Sequence, residues 1–265
     1  FIFLLLFLIL IFLKNSYDNF KDKDGITNYK HTKLKPWLEG IPEYHYHGSS
    51  YIRPFNLKQS LETRMIELSQ FINKNDTIID IGCGYCGYNK LIKSLIPSVK
   101  ITNLTISNEG FKHCKKLGYT VINKDFIKFK AKSKLNYDVA ILNESLFYLG
   151  KTIQEKTNIL KKIYNISNKL IAMILIHESE PVTWNNSGRS ISSKQLKNIL
   201  KKTGWKIKFY KLIPYFEDKL SCRKQLEIIT ANKNKMLNSI QPEEIKNWIQ
   251  GLKMCLNYNN LPISC

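Results

Sequence analysis

From residue 57 onward, short apolar runs alternate with stretches of helical periodicity, and this alternation restricts the fold more than any other property of the chain. "LKQSLETRMIELSQFI" spaces Leu57, Leu61, Met65, Leu68 and Ile72 at helical intervals, and "DTIIDIG" follows as a short buried strand. A helix over 87–96 ends at Pro97. "VKITNLT" is the next strand, "NEGFKHCKKLG" a helix closed by Gly118, and "YTVINKD" a third strand. "YDVAILNES", the helix "TIQEKTNILKKIYNIS" and the strand "KLIAMILIHES" continue the pattern, and the continuous apolar run of the last suits the centre of a parallel sheet. "SSKQLKNILKKTG" and "WKIKFYKLI" add one more helix and strand. The expected fold is therefore α/β, a doubly wound and mostly parallel sheet that binds ligands at the carboxyl ends of its strands. Residues 214–256 break the rhythm with two helices, "EDKLSCRKQLEIITANKNKML" and "PEEIKNWIQGLKMCL", a helical insertion near the C-terminus before "LPISC".

The first thirteen residues, "FIFLLLFLILIFL", are wholly apolar. As a helix they would reach roughly 20 Å, short of the ~30 Å bilayer core. Because the chain starts at Phe1, a truncated membrane anchor is the first expectation. A signal-peptide core is the second, and a buried helix the third. Residues 14–40 read as a polar linker and residues 41–265 as the folded domain, with its last strand cut short.

The formal charge of +20 points towards nucleic acid or an anionic surface, yet only Arg53, Arg64, Arg189 and Arg223 among the 41 basic residues are arginines. The lysines are scattered, which favours a solvated basic surface over a nucleic-acid groove. Six cysteines in 265 residues do not make a disulfide framework, so a reducing, intracellular compartment is the default.

"IDIGCGYCGY" (79–88) carries the chemistry. Gly82, Gly84 and Gly87 fit G-x-G-x-x-G, while Cys83 and Cys86 fit C-x-x-C. A dinucleotide site needs an acid about 20 residues on; the second strand carries Asn103 instead, and no acid appears until Glu109. Asp80 can face a cationic amino group rather than a pyrophosphate. A redox or zinc role for the cysteine pair is disfavoured, because the pair sits inside a longer glycine pattern and several αβ steps follow it.

"DIGCGYCGY" resembles motif I of the class I S-adenosylmethionine-dependent methyltransferases, with Cys86 where the family commonly has glycine. "ITNLTIS" is similar to the segment after the second strand in the cyclopropane-fatty-acid-synthase-like and related small-molecule branches. "NKDFIKF" resembles the motif whose Asp meets the adenine amino group, and "YDVAILNESLFYL" the fourth strand with its acidic end. The resemblance covers roughly residues 41–260 and implies a Rossmann-like methyltransferase fold and an S-adenosylmethionine cofactor. It implies that Asp80, Gly82, Cys83 and Gly84 cradle the methionine moiety, that Thr105 and Ile106 lie along ribose and adenine, that Asp125 accepts from adenine beside Phe126, and that Asn143 contacts the cofactor. "EYHYHGSS", with Tyr46 foremost, would cap the site or form an amphipathic lid. "LPISC" falls where a final antiparallel strand begins.

Methyl transfer needs alignment and desolvation, with a base only where the nucleophile carries a proton. The catalytic candidates are Glu144, to hold an amine or take a proton, His177 with Glu178 at the end of the fifth strand, and Tyr148 lining the pocket. Each has a structural alternative: a fixed loop, a strand end, or packing. No metal is expected. "NESLFY" lacks the Pro-Pro of amino-directed DNA methyltransferases, and no Pro-Cys nucleophile is present. A small-molecule or lipid acceptor is therefore expected ahead of RNA or DNA, or of a non-catalytic S-adenosylmethionine-binding module.

Overall fold

Alternate residues of β1 (Thr77–Ile81) feed two separate apolar layers, and the rest of the chain is arranged around that division. Ile78 joins Met65 and Leu68 of α1 (Leu57–Ser69) and Ile92 of α2 (Gly87–Leu95) on one side. Ile79 and Ile81 join Leu160 and Ile163 of α5 (Ile153–Ile166) on the other. The computed structural model describes residues 57–130, 136–177, 183–184, 188–213, 215–238, 240–257 and 263–264. The apolar N-terminal segment, the linker and Tyr46 lie outside the described residues, which contain no helix long and apolar enough to cross a membrane.

Five strands run parallel in the order β3-β2-β1-β4-β5: β2 is Lys100–Thr105, β3 Val121–Asn123, β4 Tyr137–Asn143 and β5 Ser167–His177. Order reverses between β1 and β4, which opens a crevice at their carboxyl ends. Between them lie α3 (Asn108–Lys116), the single turn α4 (Leu146–Leu149) and α5; α3 and α5 start where capping chemistry predicts, whereas α4 has no side-chain cap. Ser107 accepts from the Gly110 amide, and Thr152 with Glu155 forms a reciprocal capping box on α5. Ser192 and Gln195 do the same on α6 (Ser193–Thr203), which ends at Gly204 in the left-handed region.

The edge beyond β5 departs from expectation. The short strands β6 (Thr183–Trp184) and β7 (Gly188–Arg189) form a hairpin, and β8 (Ile191–Ser192) pairs with the end of β5. The expected strand "WKIKFYKLI" shrinks to β9, Leu212–Ile213. Its first half is held away from the sheet: the Trp205 indole donates to the Leu160 carbonyl at 3.1 Å and packs edge-on against Tyr164 at 5.2 Å. A cavity of about 580 Å³ separates residues 204–210 from the flank of β5. The two expected C-terminal helices are present as α7 (Tyr215–Met236) and α8 (Pro242–Asn257), which cover the α1 side of the sheet through Ile229 and Leu252. β10 (Ile263–Ser264) then lies antiparallel between β5 and β9, as "LPISC" led one to expect.

Leu160 is wholly buried on α5 under the sheet. Leu160→Ala should lower unfolding free energy by about 2 to 5 kcal/mol, read as a lower urea midpoint at constant slope. A loss below about 1 kcal/mol would mean that this layer is not the core.

Candidate cofactor site

Strand alternation puts the polar candidates on one face. Asp80 stands opposite Asn103 of β2 and Ile141 of β4, and Thr105 and Asn143 lie two positions further along those strands. Residues at even spacing share a face, so Asp80, Thr105 and Asn143 all belong to the side of the sheet carrying Ile78, Ile101 and Ile141. They meet at the switch point, at the carboxyl ends of three adjacent strands.

The turn after β1 is held by backbone bonds. The Gly82 and Cys83 amides both donate to the Leu104 carbonyl, at 2.8 and 3.1 Å, and the Cys86 amide donates to the Cys83 carbonyl at 2.9 Å. Gly82 has φ +77°, and a Cβ there would sit 2.5 Å from Ser145 Cβ, so only glycine fits. Ser145 in turn donates to the Ile81 carbonyl at 2.6 Å, joining the tips of β1 and β4. Cys86, standing where the methyltransferase pattern has glycine, adopts φ 61° at the N-cap of α2.

Two buried acceptors in this crevice, Asp80 Oδ1 and Asn143 Oδ1, have no hydrogen-bond partner among the described residues. Leaving such atoms unmatched costs free energy that a ligand with N–H groups would recover. Asn103, by contrast, is engaged: the Asn89 side chain donates to its Oδ1, and its own Nδ2 donates to the Thr120 carbonyl at 2.9 Å. Thr105 is 3 % exposed, and its hydroxyl accepts from the Ser107 amide at 3.2 Å; Ile106 beside it is 44 % exposed.

Asp125 follows β3 in a turn where its Oδ1 accepts from the Ile127 amide at 2.8 Å. Lys162 closes the same turn from α5, donating to the carbonyls of Phe126 and Ile127 at 2.6 and 2.8 Å, and burial draws its ammonium pKa down against the pull of Asp125. Phe126, the residue after Asp125, turns its ring into the core. It is 2 % exposed and packs with Phe129 in the layer under the sheet, while Ile127 stands 60 % exposed.

Of the catalytic candidates, Glu144 is buried directly after β4 with φ 57°, a conformation that costs a non-glycine residue about 1 to 3 kcal/mol and tends to occur at functional sites. Tyr148 is half-buried and packs edge-on to Phe147 at 4.9 Å. His177 closes β5, paired with Ser192; its side chain, like Glu178, lies outside the described residues.

Three residues contribute here without a sequence signal. Ser145 is one. Gly110 of α3 is another: a Cβ would overlap the Gly84 carbonyl, so this helix packs directly on the glycine turn. The third is Lys156, 1 % exposed, whose ammonium donates to the Leu146 carbonyl at 2.6 Å and supports the turn after Glu144; burial brings its pKa down to about 8. The cysteines also differ from expectation: no disulfide was expected, yet Cys86 is bonded to Cys114 of α3.

Burial pushes the Asp80 carboxyl from 3.8 up to about 7. The folded state therefore keeps a proton that the unfolded chain has released, and stability falls as pH rises from about 4 to 7, then levels off. Asp80→Asn should stabilise the unliganded protein by up to about 4 kcal/mol near pH 8 and by almost nothing near pH 4. Thermal unfolding at both pH values measures this, and equal gains at the two would exclude Asp80 as the titrating group.

No family of known proteins matches the sequence, and no curated protein does. Solved structures match over most of the chain. The cyclase SpnF is 15% identical with TM-score 0.72, over 88% of this chain and 92% of its own. The mycolic acid cyclopropane synthase CmaA1, solved with SAH and CTAB, is 12% identical with TM-score 0.72, over 94% and 97%. Coclaurine N-methyltransferase, bound to N-methylheliamine and SAH, is 13% identical with TM-score 0.69, over 95% and 84%. At such identities the likeness speaks to the fold, and it agrees with the strand order and the antiparallel β10. The chain has the Rossmann-like fold of the class I S-adenosylmethionine-dependent methyltransferases.

Proposed function

We propose that this protein transfers a methyl group from S-adenosylmethionine to a small-molecule or lipid-like acceptor. The observation that carries the reading is the pair of buried acceptors, Asp80 Oδ1 and Asn143 Oδ1, on one face of adjacent strands and without partners among the described residues. A cationic amino group satisfies both and draws the Asp80 proton off, because a positive charge nearby favours the carboxylate. A phosphate would instead meet a buried acid.

The bound cofactor supplies an electrophilic methyl on a sulfonium. The chain's own residues position and desolvate. Gly82 and Gly84 allow close approach of the turn, with Cys83 between them; Thr105 and exposed Ile106 flank the ribose and adenine region, and Asp125, fixed by Ile127 and Lys162, accepts from the adenine amino group. Exposed Ile127, rather than the Phe126 ring, is the apolar surface on that side. Glu144 holds a cationic acceptor or takes its proton, and the Lys156-supported turn keeps it in place. Tyr148 and His177 are the further acceptor-side candidates in this reading, and Tyr46 a cofactor contact.

The acceptor class draws support from the neighbours, among them the cyclopropane synthase solved with CTAB and a small-molecule N-methyltransferase. SpnF is described as a cyclase, so the same fold also serves other chemistry, and cofactor binding without methyl transfer is the second reading.

Calorimetry with S-adenosylmethionine tests the first step. The wild type should bind, and Asp80→Asn should weaken binding about tenfold or more, a loss of about 1.4 kcal/mol or more. No binding by the wild type overturns the proposal. Transfer of labelled methyl into a lipid extract but not into RNA is the expected second result. Label in RNA alone would overturn the acceptor class, and binding without transfer to either would favour the second reading.

A further inference from the structure

The glycine turn is joined to α3 by a device that the cofactor reading does not use. Gly110 and Cys114 lie four apart, on one face of that helix. Gly110 packs against the Gly84 carbonyl, and one turn further Cys114 is bonded to Cys86, 28 positions away in sequence, with Cα atoms 5.9 Å apart. A third sulfur completes the group. Cys83 Sγ lies 3.6 Å from Cys86 Sγ, and the three sulfurs all fall within 4.8 Å of one another.

Access to these sulfurs is uneven. Cys86 and Cys114 are 1 % and 0 % exposed, packed with Val121 and flanked by Phe111 and Tyr119, so a reductant in solution does not reach their bond directly. Cys83 is a free thiol and only half-buried. It is therefore the route by which thiol chemistry enters.

We propose that Cys83, Cys86 and Cys114 form a thiol–disulfide exchange site that sets how firmly the cofactor turn is held. Cys83 gives up its proton and attacks Cys86 Sγ. The Cys83–Cys86 bond forms, the Cys86–Cys114 bond breaks, and Cys114 leaves as a thiolate that takes up a proton, so nothing is oxidised or reduced overall. The relocated bond includes Cys83, the least buried of the three residues. An external dithiol then reduces it, becoming a disulfide itself and leaving Cys83 and Cys86 as thiols. Burial and the Asp80 charge hold the Cys83 thiol well above its ordinary pKa, which keeps the exchange slow at rest. Once the bridge to Cys114 is open, only non-covalent contacts hold α3 to the turn: Gly110 on the Gly84 carbonyl, the Tyr85 hydroxyl on the Glu109 carboxylate at 3.4 Å, and Tyr85 edge-on to His113. The consequence for ligand affinity rests on the cofactor reading above; the exchange itself does not.

The test uses the full chain purified without reductant, its free thiols trapped in acid by alkylation and its linkages mapped by peptide mass spectrometry. The Cys86–Cys114 bond is expected at the outset, with Cys83–Cys86 appearing during limited exposure to dithiothreitol. Cys83→Ser and Cys83→Ala should both retain Cys86–Cys114 and lose it about tenfold more slowly than the wild type. Three free thiols in the untreated protein, equal reduction rates in the variants, or purified protein holding one zinc ion on the three sulfurs would each overturn the proposal. In a second arm, calorimetry compares oxidised and reduced wild type, with about tenfold weaker S-adenosylmethionine binding expected after reduction. Equal affinities would overturn the coupling to the turn. Exchange mapped as expected with no binding in either state would leave the exchange standing and sink the cofactor reading instead.

Discussion

Gly82 and Ser145 leave no room between the tips of β1 and β4, and the geometry of the whole crevice follows from that closeness. A side chain on Gly82 would occupy the place of Ser145 Cβ, while the Ser145 hydroxyl is bonded to the Ile81 carbonyl. The turn after β1 therefore has to leave the sheet in the left-handed region, and the chain after β4 has to bend at once. Glu144, the residue at that bend, takes the unfavourable positive φ. Lys156 then supports the short helix that follows, through a buried ammonium and the carbonyls of Leu146 and Phe147. The tips of two strands are thereby set by contacts rather than by loop length, which is the kind of rigidity that alignment-dominated chemistry asks of a scaffold.

The same crevice is where the fold is least satisfied. The two layers above and below the sheet are filled largely by apolar side chains, yet at the carboxyl end of the face carrying Ile78 and Ile141, Asp80 and Asn143 keep buried oxygens without partners among the described residues. Unmatched polar atoms of this sort are retained where something else completes them, and natural proteins tend to carry such deficits at sites of function.

Much of this was legible from periodicity alone. The strands from "DTIIDIG" to "KLIAMILIHES" and the helices between them report local burial, which period two and period 3.6 encode directly. Asp80 stood out in the sequence too, as an acid inside an apolar run before glycines, and it is buried. What escaped was set by partners distant in sequence. Nothing near Ser145 announces that it abuts Gly82, and Lys156 reads as one more exposed lysine in "TIQEKTNILKKIYNIS" although it is 1 % exposed. The pairing of Cys86 skips its near neighbour for a residue 28 positions away. Residues 205–211 carry strand-like composition, but the Trp205 bond to α5 draws them off the edge. Phe126 turns its ring under the sheet.

The bonding of the glycine turn also bears on which ligands it refuses. Glycine-rich turns that bind phosphates do so with a fan of free amides ahead of a helix. In this chain the Gly82 and Cys83 amides are both turned back onto the Leu104 carbonyl, and the nearest strand-borne charge is the acid Asp80. With these two amides already spent and a buried carboxyl beside them, this part of the turn is poorly suited to a polyanion. The spacing of glycines that brings dinucleotides to mind is here combined with backbone hydrogen bonds already made and a buried acid, a combination that weighs against a pyrophosphate.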